Sequence, residues 1–189
     1  MTSTEKASSR ERLLDAAAGL FYREGVGVGV EALCQAAGVS KRSMYQMFGS
    51  KDEVLAASLE RSASGFHMLV FPEPDDDRPP RERIMHVFER LEEVVRSPEY
   101  VGCPFVATAV ELKDAAHPAS VVARAAKREM TAFFRGEAER CGARDPETLA
   151  RQLTMVFDGA STRVVVHDEP LDGLSTITAA ALLDAAGVS

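Results

Sequence analysis

Proline placement is the tightest constraint on how this chain can fold. All nine prolines act as punctuation: Pro72, Pro74, Pro79 and Pro80 cluster in FPEPDDDRPP, while Pro98, Pro104, Pro118, Pro146 and Pro170 stand singly. Proline breaks a helix interior, where it lacks the N–H donor and its ring crowds the preceding turn, yet it is accepted in the first turn. The segments between the prolines are rich in Ala, Leu, Glu and Arg and repeat their apolar residues at helical spacing. No segment alternates over strand length. The stretch GVGVGV imitates alternation, but its glycines point to a loop. The pattern therefore predicts an all-α chain.

Nine helices are expected. The first runs from about Ser9 to Glu24, opened by a Ser8/Glu11 capping box and stopped by Gly25. Its apolar face is Leu13, Ala17, Leu20 and Phe21. The second covers about Val30 to Ala37 and ends at Gly38. The third covers about Lys41 to Phe48, capped by Ser40. The fourth follows Ser50, whose pairing with Glu53 predicts a second capping box, and runs to near Val70. Beyond the acidic Pro-rich stretch the spacing predicts helices over about Pro80–Arg96, Pro104–Lys113, Pro118–Cys141, Pro146–His167 and Gly173–Ala186. The organisation is a small three-helix head, residues 1–51, on a larger helical body, residues 52–189.

With 46% hydrophobic residues over 189 positions, the chain can bury a sizeable core. The formal net charge of −7 argues against a protein that coats nucleic acid generally, but the charge is unevenly placed. Residues 1–51 hold seven basic and five acidic side chains, net +2, and the remainder holds 15 basic and 24 acidic, net −9. Such a chain presents one end to a polyanion and repels it elsewhere. Cys34, Cys103 and Cys141 are odd in number, far apart and without metal-type spacing, so reduced thiols in the cytoplasm are expected. No apolar run approaches the roughly 18 residues of a membrane span, and the polar start MTSTEKASSRER does not read as a signal peptide.

The function concentrates in Gly38 to Val54, GVSKRSMYQMFGSKDEV. Two short helices joined by Ala37-Gly38-Val39-Ser40 form the pattern of a helix-turn-helix, whose second helix enters the major groove of DNA by its N-terminal residues. Lys41 and Arg42 fall in that helix's first turn, where the helix dipole prefers anions; a polyanionic partner explains why cations are there. Ser40 and Ser43 can bond phosphate oxygens and Tyr45 offers a phenol to the backbone. Gln46 can pair bidentately with adenine and Arg42 with guanine. Lys51 opens the next helix, whose free N–H groups favour a phosphate. Val39, Met44 and Phe48 lie on the opposite side and are expected to pack on the first two helices.

Residues 9–55 resemble the DNA-binding head of TetR-family transcriptional regulators, through RERLLDAAAGLFYREG, VEALCQAAGVSKRSMYQMF and GSKDEVL. The stretch GCPFVATAVELKDAAHP also resembles the fifth-to-sixth helix region of many members. The resemblance implies a three-helix head, a linking fourth helix and an all-α body for ligand binding and dimerisation, with repression relieved by a small molecule. By position it implies phosphate contacts for Lys41, Tyr45 and Lys51, and base-facing places for Arg42, Ser43 and Gln46. Two positions depart from the family pattern: Met47 replaces a commonly polar residue, and Gly29 stands where Ser or Thr commonly caps the second helix.

Tight operator binding needs two half-sites, hence a two-fold homodimer on a palindromic double-stranded site. The last two long helices are the candidate interface, through Leu149, Leu153, Val156, Ala160 and Val164 and through Leu174, Ile177, Ala181, Leu182 and Ala185. Aromatic and methionine residues gather in the body, and Phe66, Phe88, Phe105, Ala109, Met130, Phe134 and Phe157 are the expected lining of a small, mostly apolar effector's pocket, with His67, His86 and Glu111 as polar handles. Cys103, between Gly102 and Pro104 at a helix start, leaves open a redox-sensing regulator. No catalytic group, cofactor or metal set is expected: the four histidines are scattered, and no GxSxG, CxxC or Gly-rich phosphate loop occurs.

Overall fold

The computed structural model describes residues 8–188. Among them are nine helices and no strand: α1 (Ser9–Glu24), α2 (Val30–Ala37), α3 (Lys41–Met47), α4 (Lys51–Val70), α5 (Pro80–Val94), α6 (Pro104–Leu112), α7 (Pro118–Arg140), α8 (Pro146–His167) and α9 (Leu174–Ala185). Local chemistry sets most of the boundaries. The Ser8 hydroxyl accepts from the Glu11 N–H at 3.2 Å, and the Glu11 carboxylate accepts from the Ser8 N–H at 2.7 Å. Gly25 at φ 81° and Gly38 at φ 64° end α1 and α2 in conformations that cost other residues a steric penalty. Prolines occupy the first turn of α5, α6, α7 and α8, and the Asp145 carboxylate caps α8 through the Thr148 N–H at 3.0 Å.

Small departures from the expected boundaries have local causes. The Ser50 hydroxyl caps α4 through the Glu53 N–H, but the Glu53 carboxylate reaches the Gly49 N–H at 3.0 Å, one residue before the cap, so the expected reciprocal box does not close. α3 ends at Met47, with Phe48 already extended. α9 has no cap of its own. Gly173 precedes it at φ 87°, and the buried Glu92 carboxylate on α5 accepts instead from the Gly173 N–H at 2.9 Å and the Ser175 hydroxyl at 2.8 Å.

Three apolar clusters hold the helices. In the head, Leu13, Leu14 and Ala17 of α1 pack with Leu33, Cys34 and Ala37 of α2, Met44 of α3, Phe48 and Val54. In the body, α7 lies between α4, α5, α6 and α8, and α9 closes on α5 and α8. Phe88, Phe134 and Phe157 are its centre, with Phe88 and Phe134 stacked at 5.7 Å. A third cluster of Leu55, Leu59, Cys103, Phe105, Ala119 and Ala123 fills the space between α4, α6 and α7. Because α4 contributes Val54 to the head and Leu55, Leu59 and Val70 to the body, it runs as one rod through both. A buried ion pair, Arg83 Nε to Glu137 Oε1 at 3.1 Å, joins α5 to α7 beneath the Pro-rich stretch, whose Glu73 and Asp76 carbonyls accept from the same guanidinium. Among the described residues no helix is long and apolar enough to cross a membrane.

Candidate nucleic-acid interface

α3 stands on the head with one face buried and the other open. Met44 and Phe48 are buried against α1 and α2; at the positions between, Arg42, Tyr45 and Gln46 are exposed. The turn before it is tight because Gly38 takes the left-handed conformation, letting its own N–H reach the Gln35 carbonyl at 3.2 Å and the Val39 N–H reach the Cys34 carbonyl at 3.0 Å. Ser40 then caps α3, its hydroxyl accepting from the Ser43 N–H at 3.0 Å and meeting the Ser43 hydroxyl at 2.8 Å. Two short helices at a fixed turn, the second with polar side chains facing outward, form a helix-turn-helix.

The cationic side chains are not equally available. Arg42 and Gln46 have no side-chain partner among the described residues. Lys41 pairs with Glu31 of α2, and that hydrogen bond holds the Glu31 carboxyl below the ordinary carboxylate range and the Lys41 ammonium above its own. A phosphate at Lys41 therefore has to compete with Glu31. The Lys51 ammonium turns inward, donating to the Val26 carbonyl at 3.0 Å and the Val28 carbonyl at 3.3 Å. These two carbonyl partners were not foreseen from the sequence, where a phosphate contact is expected for Lys51. Arg10 lies over the Phe48 ring at 5.0 Å, adding a cation on the flank of α3 that the sequence reading passed over.

The loop Lys51 grips is also held from the body. The Glu111 carboxylate at the end of α6 accepts from the Val26 N–H at 2.8 Å, and a Cβ on Gly25 would stand only 2.6 Å from it. Nearby, the Tyr22 hydroxyl of α1 accepts from the Val101 N–H at 3.1 Å. Head and body thus meet through two loops stitched by polar contacts.

Two cavities lie in or beside the body. The smaller, about 260 Å³, is walled by Phe66, His67, Phe105 and Met130 among others, with His67 stacked on Phe71 at 4.4 Å. The larger, about 730 Å³, lies between α1, α4, α6 and the loop before α6, with Phe66, Tyr22 and Thr108 on its walls. Phe88, Phe134 and Phe157 line neither, a correction to the expected pocket: they are 0% exposed because they pack on one another. Ala109 packs against the α4–α6–α7 cluster. Of the expected handles, His86 meets the Arg78 guanidinium at 3.0 Å, and burial with that neighbouring charge keeps its imidazole below the ordinary histidine pKa; Glu111 is committed to Val26. Cys103 is buried at the N-cap of α6.

The outer surface of α8 and α9 differs from the expectation chiefly on α8. Leu149, Leu153 and Ala160 are buried in the subunit's own core, and Val156, Val164 and Leu182 pack against it half-buried. Of the expected set, Leu174, Ile177 and Ala181 are exposed, and the helices also leave Met155, Val166 and Gly159 exposed, with Met155 at 68% and Ile177 at 67%. Among the described residues no three His, Cys, Asp or Glu side chains are grouped to hold a metal ion.

A helix-turn-helix head on an all-helical body defines a DNA-binding transcriptional regulator. Residues 13–58 match the bacterial regulatory proteins of the tetR family. A TetR-type transcriptional regulator from Streptomyces avermitilis is 58% identical, with 97% of this chain and 100% of that one covered and a TM-score of 0.93. A TetR-family transcriptional regulator from Streptomyces coelicolor is 25% identical over 94% of this chain and 93% of its own, with a TM-score of 0.81. The reduced form of Escherichia coli NemR, 22% identical, shares the fold at a TM-score of 0.79 over 90% of this chain and 94% of its own. The chain belongs to the TetR family of transcriptional regulators.

Proposed function

We propose that the protein is a cytoplasmic, effector-released repressor that binds a palindromic operator as a homodimer. The observation that carries this reading is the exposed edge of α3, where Arg42 and Gln46 stand without side-chain partners on a helix whose other face is locked by Met44 and Phe48. Their chemistry suits guanine and adenine edges in the major groove. Ser40, Ser43, Tyr45, Lys41 and the N–H groups at the start of α4 surround them as phosphate contacts, which set register but not sequence. Lys51 acts beneath these contacts by holding the Val26–Val28 loop, and turns to phosphate only by giving up those carbonyls. Residues 1–51 form the reading head and residues 52–189 the regulatory body.

The dimer reading is supported by the apolar strip of Met155, Val166, Leu174 and Ile177, since exposed apolar patches mark interaction sites. Gly159 and Ala181 let the two helices of each subunit approach their symmetry mates closely. Two heads then read two half-sites about one helical turn apart. An effector that prefers one disposition of α4 and α1 over another shifts the spacing of the heads, and only that difference in affinity drives release. Selection of bound fragments from host genomic DNA, with light scattering of the purified protein, tests the reading. The expected result is a dimer and an enriched palindrome; a monomer at micromolar concentration, or no enrichment at low salt, refutes it.

A further inference from the structure

We infer that the effector site is the cavity where head meets body, and that it takes an uncharged, largely apolar molecule bearing a hydroxyl or carbonyl group. This rests on the effector-controlled reading above but places the ligand away from the aromatic centre of the body. The cavity, about 730 Å³, falls in the size range of small-molecule sites. Phe21, Leu55, Leu59, Phe66, Val94 and Pro104 give it apolar walls drawn from α1, α4, α5 and α6.

Two independent features mark it as built for an occupant. The first is glycine. Gly19 in α1 and Gly65 in α4 face the void from different walls, in helix interiors where glycine is the least favourable ordinary residue. A Cβ at Gly19 would stand 3.3 Å from the Arg23 guanidinium, but one at Gly65 would meet nothing within 4 Å, so close packing is not the reason for glycine at Gly65. The second is Thr108 on α6. It is 6% exposed, lines the cavity, and its hydroxyl has no hydrogen-bond partner among the described residues. Among the described residues the fully buried side-chain polar atom without a partner is Ser120 Oγ, so the Thr108 hydroxyl is instead open to the cavity, where a ligand hydroxyl or carbonyl can take the place of water on it. Among the other hydroxyls on the wall, Tyr100 donates to the Ser161 carbonyl at 2.9 Å and Ser58 and Ser62 donate to carbonyls of their own helix, while Tyr22 accepts from the Val101 N–H and keeps its own proton to donate.

The charges set the ligand's neutrality. Arg23 and Glu24 are exposed at the rim, and the Glu111 carboxylate is taken by the Val26 N–H. Among the described residues on its walls no unpaired buried charge awaits a counter-ion, so an ionic ligand gains nothing to offset its desolvation. Position gives the site its leverage. Tyr22–Val101 and Glu111–Val26 bridge head to body along the cavity's edge. A ligand that fills the space bears on α1, the helix against which α2 packs.

Nile red, a neutral aromatic dye with a carbonyl that brightens in apolar surroundings, tests the site on the full chain without DNA. Saturable binding of one dye per chain is expected. Gly65→Leu, which fills the void with a good helix former, is expected to weaken binding at least tenfold. Thr108→Val, nearly the same shape without the hydroxyl, is expected to weaken it about five- to tenfold. Ala126→Leu, on the wall of the smaller cleft, is expected to leave it unchanged. Absence of saturable binding, wild-type affinity in both Gly65→Leu and Thr108→Val, or a loss confined to Ala126→Leu overturns the assignment. Operator retention is measured in parallel. Dye bound at this site by a protein that ignores duplex DNA supports the site and refutes the regulator reading; operator binding with no dye site refutes only the site.

Discussion

Replacing Glu92 with alanine removes the cap of α9 from across the body. Glu92 is 7% exposed, and its carboxylate accepts from the Gly173 N–H at 2.9 Å, the Ser175 hydroxyl at 2.8 Å and, more weakly, the Thr176 N–H at 3.4 Å. Burial pushes the carboxyl pKa up, but the hydrogen bonds from Ser175, Gly173 and Thr176 together outweigh it, and the group titrates below its ordinary 4.5. Each of the two short bonds to a charged acceptor contributes about 1.5–3 kcal/mol. Relief from holding a carboxylate out of water returns part of that sum, so the net loss for Glu92→Ala is about 2–3 kcal/mol, within the usual range for a disrupted buried polar group. For a chain of this size that lowers Tm by roughly 4–12 °C. A carboxyl with a depressed folded pKa stabilises fully above its unfolded value and loses that contribution as the pH falls through the folded one. The gap between wild type and Glu92→Ala is therefore widest at pH 7, begins to narrow as the pH falls below the ordinary carboxyl value and closes once it has passed the lower folded one. Thermal melts by circular dichroism at pH 7 and at pH 4 or lower provide the check. An alanine variant within about 2 °C of wild type at pH 7, or a gap that does not narrow in acid, refutes this account of α9. Because α9 carries Leu174 and Ile177 of the proposed interface, the same variant is expected to dimerise more weakly in light scattering at fixed concentration.

Arg42→Ala or Gln46→Ala is expected to cost about 1–3 kcal/mol on the selected operator and little on random duplex, relaxing preference at one base pair; equal losses on both would reassign them to phosphate. Lys51→Ala removes a charged donor from two carbonyls, so a stability loss of about 1–3 kcal/mol and weakened binding to every duplex are expected together. A variant that melts like wild type would show instead that Lys51 acts on phosphate alone. Gly29→Ser adds the missing N-cap of α2 at a position whose backbone, φ −76° and ψ 156°, already suits a cap and whose Cβ meets no atom within 4 Å. It is expected to stabilise the head by a few tenths of a kcal/mol, read as a small rise in Tm.

How far these positions could be read from sequence depended on how far apart the interacting residues lie. Ser8 with Glu11 and Ser40 with Ser43 are three residues apart, within one helical turn, so propensity and capping rules reach them. The reading edge of α3 was legible for the same reason: in a seven-residue helix, burying Met44 turns Arg42, Tyr45 and Gln46 outward. The resting place of the Lys51 ammonium was not legible because a helix N-terminus and two loop carbonyls compete for one flexible side chain, and only the loop's position settles which is nearer. The aromatic centre misled in a different way. Composition cannot distinguish phenylalanines that wall a cavity from those that fill one, and Phe88, Phe134 and Phe157 fill theirs.

What the amino-acid order determined alone was the alphabet of the fold: helix starts at capping residues and prolines, stops at glycines, a basic head on an acidic body, and a turn that aims α3 outward. All of these rest on interactions spanning one or two turns of chain. Tertiary structure decided which residues separated by 80 or more positions meet, as Glu92 meets Ser175 and Glu111 meets Val26, 83 and 85 residues apart. It also decided which face of α8 is spent inside the subunit and where packing leaves room for a ligand. Those outcomes follow from how whole helices fit against one another, and a cavity, being space that no side chain occupies, has no residues of its own to announce it.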